Sequence, residues 1–250
     1  MGAEATPLKR AAGFASSMQA VVPAAGQGTR MRPLTETLPK GLVDVDGRPL
    51  LEHGFDALVD LGVDELLLVV GYRGDQLRAH FGEAYDGVPV TYVEQSERRG
   101  LAHAVAQATP HVEGDFVLYN GDNVCEANLG ALWDRHSESD AIATALVESV
   151  SRDRAARGGV FDLEGSDIVG LAEKPAAPPS TLIPRGVWAL DERVLHACAL
   201  VQPGHTGERE FSAAIDLCLE AGWDVETVDL EGWCINVNTP ADVERVEARR

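Results

Sequence analysis

Short apolar runs recur through the first half of the chain, and each gives way to a loop and then to a helix-like segment. "MQAVVPA" leads, after a long loop, to "LLEHGFDALVDLG", an amphipathic stretch that stops at Gly62. "DELLLVVGY" leads to "GDQLRAHFG", and "VPVTYVEQ" to the small-residue helix "GLAHAVAQAT". "DFVLYNGDN" is a fourth strand that runs into Gly121 and Asp122. Parallel strands cannot be joined by tight hairpins, so this alternation predicts a mixed, mostly parallel α/β sheet flanked by helices. The rhythm then changes. "AIATALVES", "GGVFDLEG", "DIVGLAEKP" and "RGVWAL" are strand-like with short connections, which predicts an antiparallel extension of the sheet. The end reads helix, strand, strand, helix: "EREFSAAIDLCLEAG", "DVETVDL", "WCINVN" and "PADVERVEARR". "AAPPS" is a loop too short to divide domains. We therefore expect one domain over residues 18–250. Residues 1–17, "MGAEATPLKRAAGFASS", read as a disordered extension without function, and they lack the apolar stretch of a signal peptide.

Charge narrows the partners. Lys and Arg number 21 against 40 Asp and Glu, a net charge of −19 at pH 7. Such a surface repels nucleic acid polymers and anionic membranes. No apolar run approaches the roughly 20 residues of a membrane helix. One reading of the acidity is adaptation to a high-salt cytoplasm, where screening removes long-range repulsion; a merely acidic mesophile is the other. Cys125, Cys198, Cys218 and Cys234 are widely spaced, without CxxC or histidines at ligand spacing. They read as neither a zinc site nor a disulfide framework, so a reducing cytoplasm is the expected compartment. Oligomeric state is not legible, and a homo-oligomer stays open.

The loop after the first strand carries the chemistry. "VVPAAGQGTRMRPLTETLPK" places Gly26, Gly28, Arg30 and Lys40 close together at the carboxyl end of a strand, where open α/β sheets bind ligands. Glycines let backbone N–H groups approach a phosphate, and Arg30 adds paired donors. It is not a dinucleotide fingerprint, because Met31 stands at the third glycine position, and no G-K-[ST] follows to make a Walker loop.

The longer stretch "PAAGQGTRMRPLTETLPKGLVDVDGRPLLEH" resembles the signature of the sugar-1-phosphate nucleotidyltransferases: G-x-G-T-R-x-x-P-x-T, a P-K pair, then G-[KR]-P. The resemblance implies a Rossmann-like nucleotidyltransferase domain whose first half binds nucleotide and whose second half closes over it. It implies transfer of a nucleotidyl group from a nucleoside triphosphate to a sugar 1-phosphate, with pyrophosphate released. Ala25, Gly26, Gly28 and Thr29 would then cradle the triphosphate. Arg30 would stabilise the leaving pyrophosphate, and Lys40 would neutralise charge at the reacting centre. "VEQSERRGLAHAV" is similar to the family's base-reading segment, with Gln95 and Gly100 in its pyrimidine-using form. Gln95 offers a donor and an acceptor to the edge of uracil or thymine. In "YNGDN", Asp122 stands where the family keeps an Mg²⁺ ligand. "GLAEKP" supplies Glu173 for sugar hydroxyls and Lys174 for the sugar phosphate, "RGGVF" supplies Gly159, and "GEREFS" supplies Glu210.

The match departs in two places. Where the family has W-x-D-V-x-T-P, this chain reads "WCINVNTP", so Asn236 replaces a metal-binding carboxylate and Asn238 is a second candidate ligand. Thr181 and Pro184 occupy asparagine positions of a sugar-site segment, which leaves the sugar open. No hexapeptide repeats follow Thr239–Pro240, so no acyltransferase helix is expected. The resemblance implies UTP or dTTP with glucose 1-phosphate; mannose 1-phosphate, N-acetylglucosamine 1-phosphate and phosphocholine are alternatives. A nucleotide-sugar-binding regulator without turnover is the different-class alternative, favoured by Asn236.

Overall fold

Side chains of the first strand leave it on alternate faces: Ala20 and Val22 enter one core, and Val21 enters the other. The period of two repeats in the neighbouring strands. Leu67 and Val69 join Val21, whereas Leu66, Leu68 and Val70 join Ala20 and Val22. A strand buried on both faces needs helices on both sides, and the continuous run "ELLLVV" is its sequence mark.

The computed structural model describes residues 17–204 and 207–249. The expected extension falls, apart from Ser17, outside the described residues. The strands are β1 (Gln19–Pro23), β2 (Asp44–Val45), β3 (Arg48–Pro49), β4 (Glu65–Val70), β5 (Ala84–Tyr85), β6 (Val88–Glu94), β7 (Phe116–Tyr119), β8 (Asn123–Ala127), β9 (Ala143–Ser149), β10 (Gly159–Glu164), β11 (Asp167–Glu173), β12 (Leu182–Leu190), β13 (Val225–Asp229) and β14 (Gly232–Asn236). The helices are α1 (Leu50–Leu61), α2 (Gly74–Phe81), α3 (Leu101–Ala106), α4 (Leu129–Ser137), α5 (Arg152–Ala155), α6 (Val194–Leu200), α7 (Phe211–Glu220) and α8 (Pro240–Glu247).

Eight strands form the central sheet in the order β13-β9-β12-β7-β1-β4-β6-β5. Strands β7, β1, β4 and β6 run parallel, and β12 runs antiparallel to β7 and β9. One face is covered by α3, α6 and α7 through Val105, Leu195 and Ile215; the other by α1, α2 and α4 through Phe55, Leu77 and Leu132. The predicted antiparallel extension is present in β9 and β12. Strands β10 and β11, however, pair only with each other and stand off as a separate ribbon. Helices α4 and α6 are not anticipated from the sequence.

The cysteine reading is corrected in one respect. Strands β8 and β14 pair antiparallel with Cys125 directly opposite Cys234, and the two form a disulfide at a Cα separation of 4.0 Å. Their separation of 109 residues in sequence hid the pairing. Cys198 and Cys218 are buried free thiols, and burial pushes Cys218 up to about 11.

Candidate active site

A small third core fixes the loops at the carboxyl ends of β1 and β7. Met31, Val43, Val45 and Leu50 pack there on Val124, Ile235, Val237 and Val246. Met31 is fully buried, so its truncation would cost about 3 kcal/mol and loosen the loop it ends. That loop turns at Gly28, whose φ of 60° is left-handed, and enters a 3-10 turn at Thr29–Met31. A Cβ on Gly28 would lie 3.1 Å from the Cβ of Lys40, so the glycine also makes room for the lysine stem. The Thr35 hydroxyl donates to the Gly28 carbonyl at 2.7 Å and closes the turn.

Six residues from three distant parts of the sequence meet beneath this loop. Lys40 donates to Asp122 Oδ2 at 2.7 Å and to Asn238 Oδ1 at 2.9 Å. Arg30 Nη2 donates to the same Asn238 oxygen at 2.8 Å. Asn236 Nδ2 donates to Asp122 Oδ1 at 2.6 Å and to Asn123 Oδ1 at 2.9 Å. Asn238 lies beyond β14 and is held by the start of α8. Its N–H and that of Thr239 donate to Asp242, which closes a capping box. Burial would raise the Asp242 pKa, but these hydrogen bonds and those from the Thr239 hydroxyl and Arg245 outweigh it and hold the carboxyl low.

The cluster lies in a cleft of about 780 Å³. Ala25, Gly26, Gly28, Thr29, Gln95 and Gly100 line one part of it, and Glu173 and Lys174 line another. Gln95 is buried just past β6. Its Nε2 donates to His103 Nδ1 at 2.9 Å and to the Gly100 carbonyl at 3.3 Å. Both donors of the amide are therefore used within the protein, and its oxygen alone is left for a ligand. The two-point contact expected of Gln95 is reduced to one. Gly100 has a φ of 104°, and a Cβ there would lie 2.5 Å from the Arg209 carbonyl oxygen, so no other residue fits. Lys174 sits at the end of β11 with a φ of 45° and meets Glu173 at 3.1 Å. Ser212 donates to the other oxygen of Glu173 at 3.3 Å.

Two expected site residues are not among those that line the cleft. Gly159 pairs across the ribbon with Glu173 and lines an adjoining pocket of about 240 Å³. Glu210 stands at the N-cap position of α7 without a side-chain cap bond, and Glu208, two residues earlier, lines the cleft.

The chain's relatives bear on this geometry. Residues 19–235 match the family model for nucleotidyl transferases. The chain belongs to the nucleotidyl transferase family. Over 233 residues it is 46% identical to the UTP–glucose-1-phosphate uridylyltransferase AglF of Haloferax volcanii, a match covering 93% of this chain and 96% of that one. It is 32% identical to a glucose-1-phosphate thymidylyltransferase of Streptomyces antibioticus, covering 90% of this chain and 64% of that longer protein. Among solved structures, a UDP-glucose pyrophosphorylase complexed with UDP-glucose superposes with a TM-score of 0.83 at 20% identity, covering 94% and 98% of the two chains. That last likeness is one of fold.

The cleft of this nucleotidyl transferase fits a hard divalent cation. Asp122 and Asn238 already turn oxygens toward one cation, the Lys40 ammonium, and a carboxylate with an amide oxygen matches the sparse protein ligation that Mg²⁺ accepts. Asn236 presents nitrogen rather than oxygen to Asp122, so it orients that carboxylate. Sequence reading passed over Arg98, Asn120 and Glu208, all of which line the cleft. Arg98 carried a legible signal, since "RRG" places two cations directly before the Gly100 turn.

Proposed function

We propose that this nucleotidyl transferase moves a uridylyl group from UTP to glucose 1-phosphate, giving UDP-glucose and pyrophosphate. The observation that carries the reading is the convergence of Lys40, Arg30, Asp122 and Asn238 between Gln95 and Lys174. A phosphate oxygen of the sugar 1-phosphate attacks the α-phosphorus of the triphosphate. The bond from that phosphorus to the bridging oxygen breaks, and pyrophosphate leaves with the electron pair. No covalent enzyme intermediate is needed, so catalysis is positioning and charge neutralisation.

Backbone N–H groups around Gly26 and Gly28 hold the triphosphate, and Thr29 extends that cradle. Arg30 takes the departing pyrophosphate, and Lys40 neutralises charge at the reacting phosphorus. Asp122 and Asn238 would hold Mg²⁺, which when bound supplies positive charge to phosphate oxygens. Gln95 Oε1 accepts from N3–H of the base. Lys174 binds the acceptor phosphate, and Glu173, fixed by Ser212, accepts from sugar hydroxyls. UTP and glucose 1-phosphate are supported by the name of the Haloferax relative. The base edge itself is the same in dTTP, and one methyl changes affinity only about 10- to 200-fold.

Among the described residues no helix is long and apolar enough to cross a membrane. The net charge of −19 disfavours nucleic acid polymers and anionic membranes as partners, and the reading places the reaction in the cytoplasm. Asn236, with its nitrogen on Asp122, favours a second reading: a nucleotide-sugar sensor that does not turn over. Pyrophosphate release with Mg²⁺ in molar KCl, across five nucleoside triphosphates and a panel of sugar 1-phosphates, separates the two. The transferase reading expects its strongest signal with UTP and glucose 1-phosphate. A blank panel with UDP-glucose still raising the melting temperature would leave the sensor.

A further inference from the structure

The hydrogen bonds of Gln95 fix its amide in one direction. The Gly100 carbonyl can only accept, so the atom 3.3 Å from it is the amide nitrogen. That nitrogen also lies 2.9 Å from His103 Nδ1, so Nδ1 must carry the lone pair and the imidazole proton sits on Nε2. Among the described residues no donor reaches Gln95 Oε1, and the residue lines the cleft. His103 is one turn into α3, and its side chain reaches back across the Gly100 loop to the residue after β6.

We propose that His103 is a positioning residue: by accepting from Gln95 it turns the amide oxygen to the base, so that the pocket takes a pyrimidine with N3–H and rejects cytosine. This rests on the nucleotidyl transfer proposed above, with the base at Gln95. Uracil and thymine meet Oε1 with a donor. Cytosine meets it with a lone pair at the same ring position, and two acceptors face each other.

Loss of the acceptor at His103 removes the shorter of the two bonds that hold the amide and leaves only the 3.3 Å bond to the Gly100 carbonyl. An Nδ1–H on protonated His103 would oppose the amide nitrogen, while a turned amide would set Oε1 against the Gly100 carbonyl, so either change loosens the orientation that presents Oε1 to the base. Burial, then Arg209 and Arg99, push this imidazole below its ordinary value, and Glu97 opposes them. The neutral form, and with it the uracil-selecting orientation, therefore holds at neutral pH and is lost only on acidification below 6.5.

The test compares the wild type with His103→Phe, which has no acceptor, and His103→Gln, which keeps one. KM and kcat are measured for UTP and CTP, and the affinities of both triphosphates are measured by calorimetry without acceptor sugar. The UTP-over-CTP preference should fall about tenfold in His103→Phe, through KM rather than kcat, and persist in His103→Gln. In the wild type the preference should fall below pH 6.5, and in His103→Gln it should stay flat. Equal preference in all three proteins, or equal loss in both variants, would overturn the proposal. Calorimetry separates the two readings. Binding preference without turnover in the wild type would remove the proposed transferase and leave His103 in place. Should His103→Phe not fold, the pH profiles of the other two proteins decide.

Discussion

The sequence holds three lysines, and the two in the cleft are built in opposite ways. The side chain of Lys40 is 14% exposed and tied to Asp122 and Asn238, partners 82 and 198 residues away. That of Lys174 is 49% exposed, meets only its neighbour Glu173 among the described residues, and sits on left-handed backbone at the end of a ribbon outside the main sheet. The cation of the proposed nucleotide half is therefore pre-ordered by long-range bonds, whereas the Lys174 side chain of the proposed sugar half is held locally and can adjust. A transition state in phosphoryl chemistry gains most from charges fixed beforehand. An acceptor that must enter and leave is better served by a movable cation, and lysine suits that role because its charge is a point on a flexible stem.

The contrast breaks first at Lys40. Lys40→Ala should lower kcat/KM about 10²- to 10³-fold, with kcat taking most of the loss, as read by initial pyrophosphate release. Lys40→Arg should recover little, because a single ammonium now donates to both Asp122 and Asn238, and a longer planar fork cannot set one donor centre at the same point. Lys174→Ala should instead raise KM for glucose 1-phosphate by about ten- to a hundredfold and leave UTP binding nearly unchanged. Equal losses of both affinities would place Lys174 in the fixed half and dissolve the distinction.

How much of this was legible before folding follows the same division. The parallel core was readable because burial on both faces writes continuous apolar runs such as "ELLLVV", and the α8 start because Thr239, Pro240 and Asp242 form a local capping pattern. Gly26, Gly28, Arg30 and Lys40 lie within one short stretch, so their spacing alone pointed to phosphate. Their anchoring was not readable. The Lys40–Asp122–Asn238 cluster, the Cys125–Cys234 pair and the reach of His103 to Gln95 depend on which chain ends the sheet brings together. The ribbon misled for a related reason. Its strands have the right composition for a sheet, but only their register shows that they pair with each other alone.

Asn236→Asp tests what keeps the fixed half fixed. Asn236 now donates to Asp122 at 2.6 Å; a carboxylate there removes the donor and adds a like charge. Once the two carboxylates ease apart to about 4 Å, their repulsion near the surface is about 1–4 kcal/mol. Without divalent ions the variant should melt about 2–16 °C lower than the wild type, and Mg²⁺ should recover the difference. Turnover at saturating Mg²⁺ should stay within a few-fold. An identical Mg²⁺ response in both proteins would place the cation away from this pair.

The smallest effect probes the movable half. At a φ of 45°, a side chain at position 174 costs about 1–2 kcal/mol, a strain that glycine escapes. Lys174→Gly and Lys174→Ala both remove the ammonium, so both should lose affinity for the acceptor alike. They should differ in stability. Glycine gives back part of its gain as freedom in the unfolded chain, leaving it about 1 kcal/mol above alanine, or about 2–4 °C in melting temperature. Such a split would mean that the backbone at Lys174 is held in an unfavourable conformation to present its charge, whereas Lys40 is presented by partners. If the two variants melt together, the ribbon relaxes once the lysine is gone, and the strain belongs to the Lys174–Glu173 contact rather than to the fold.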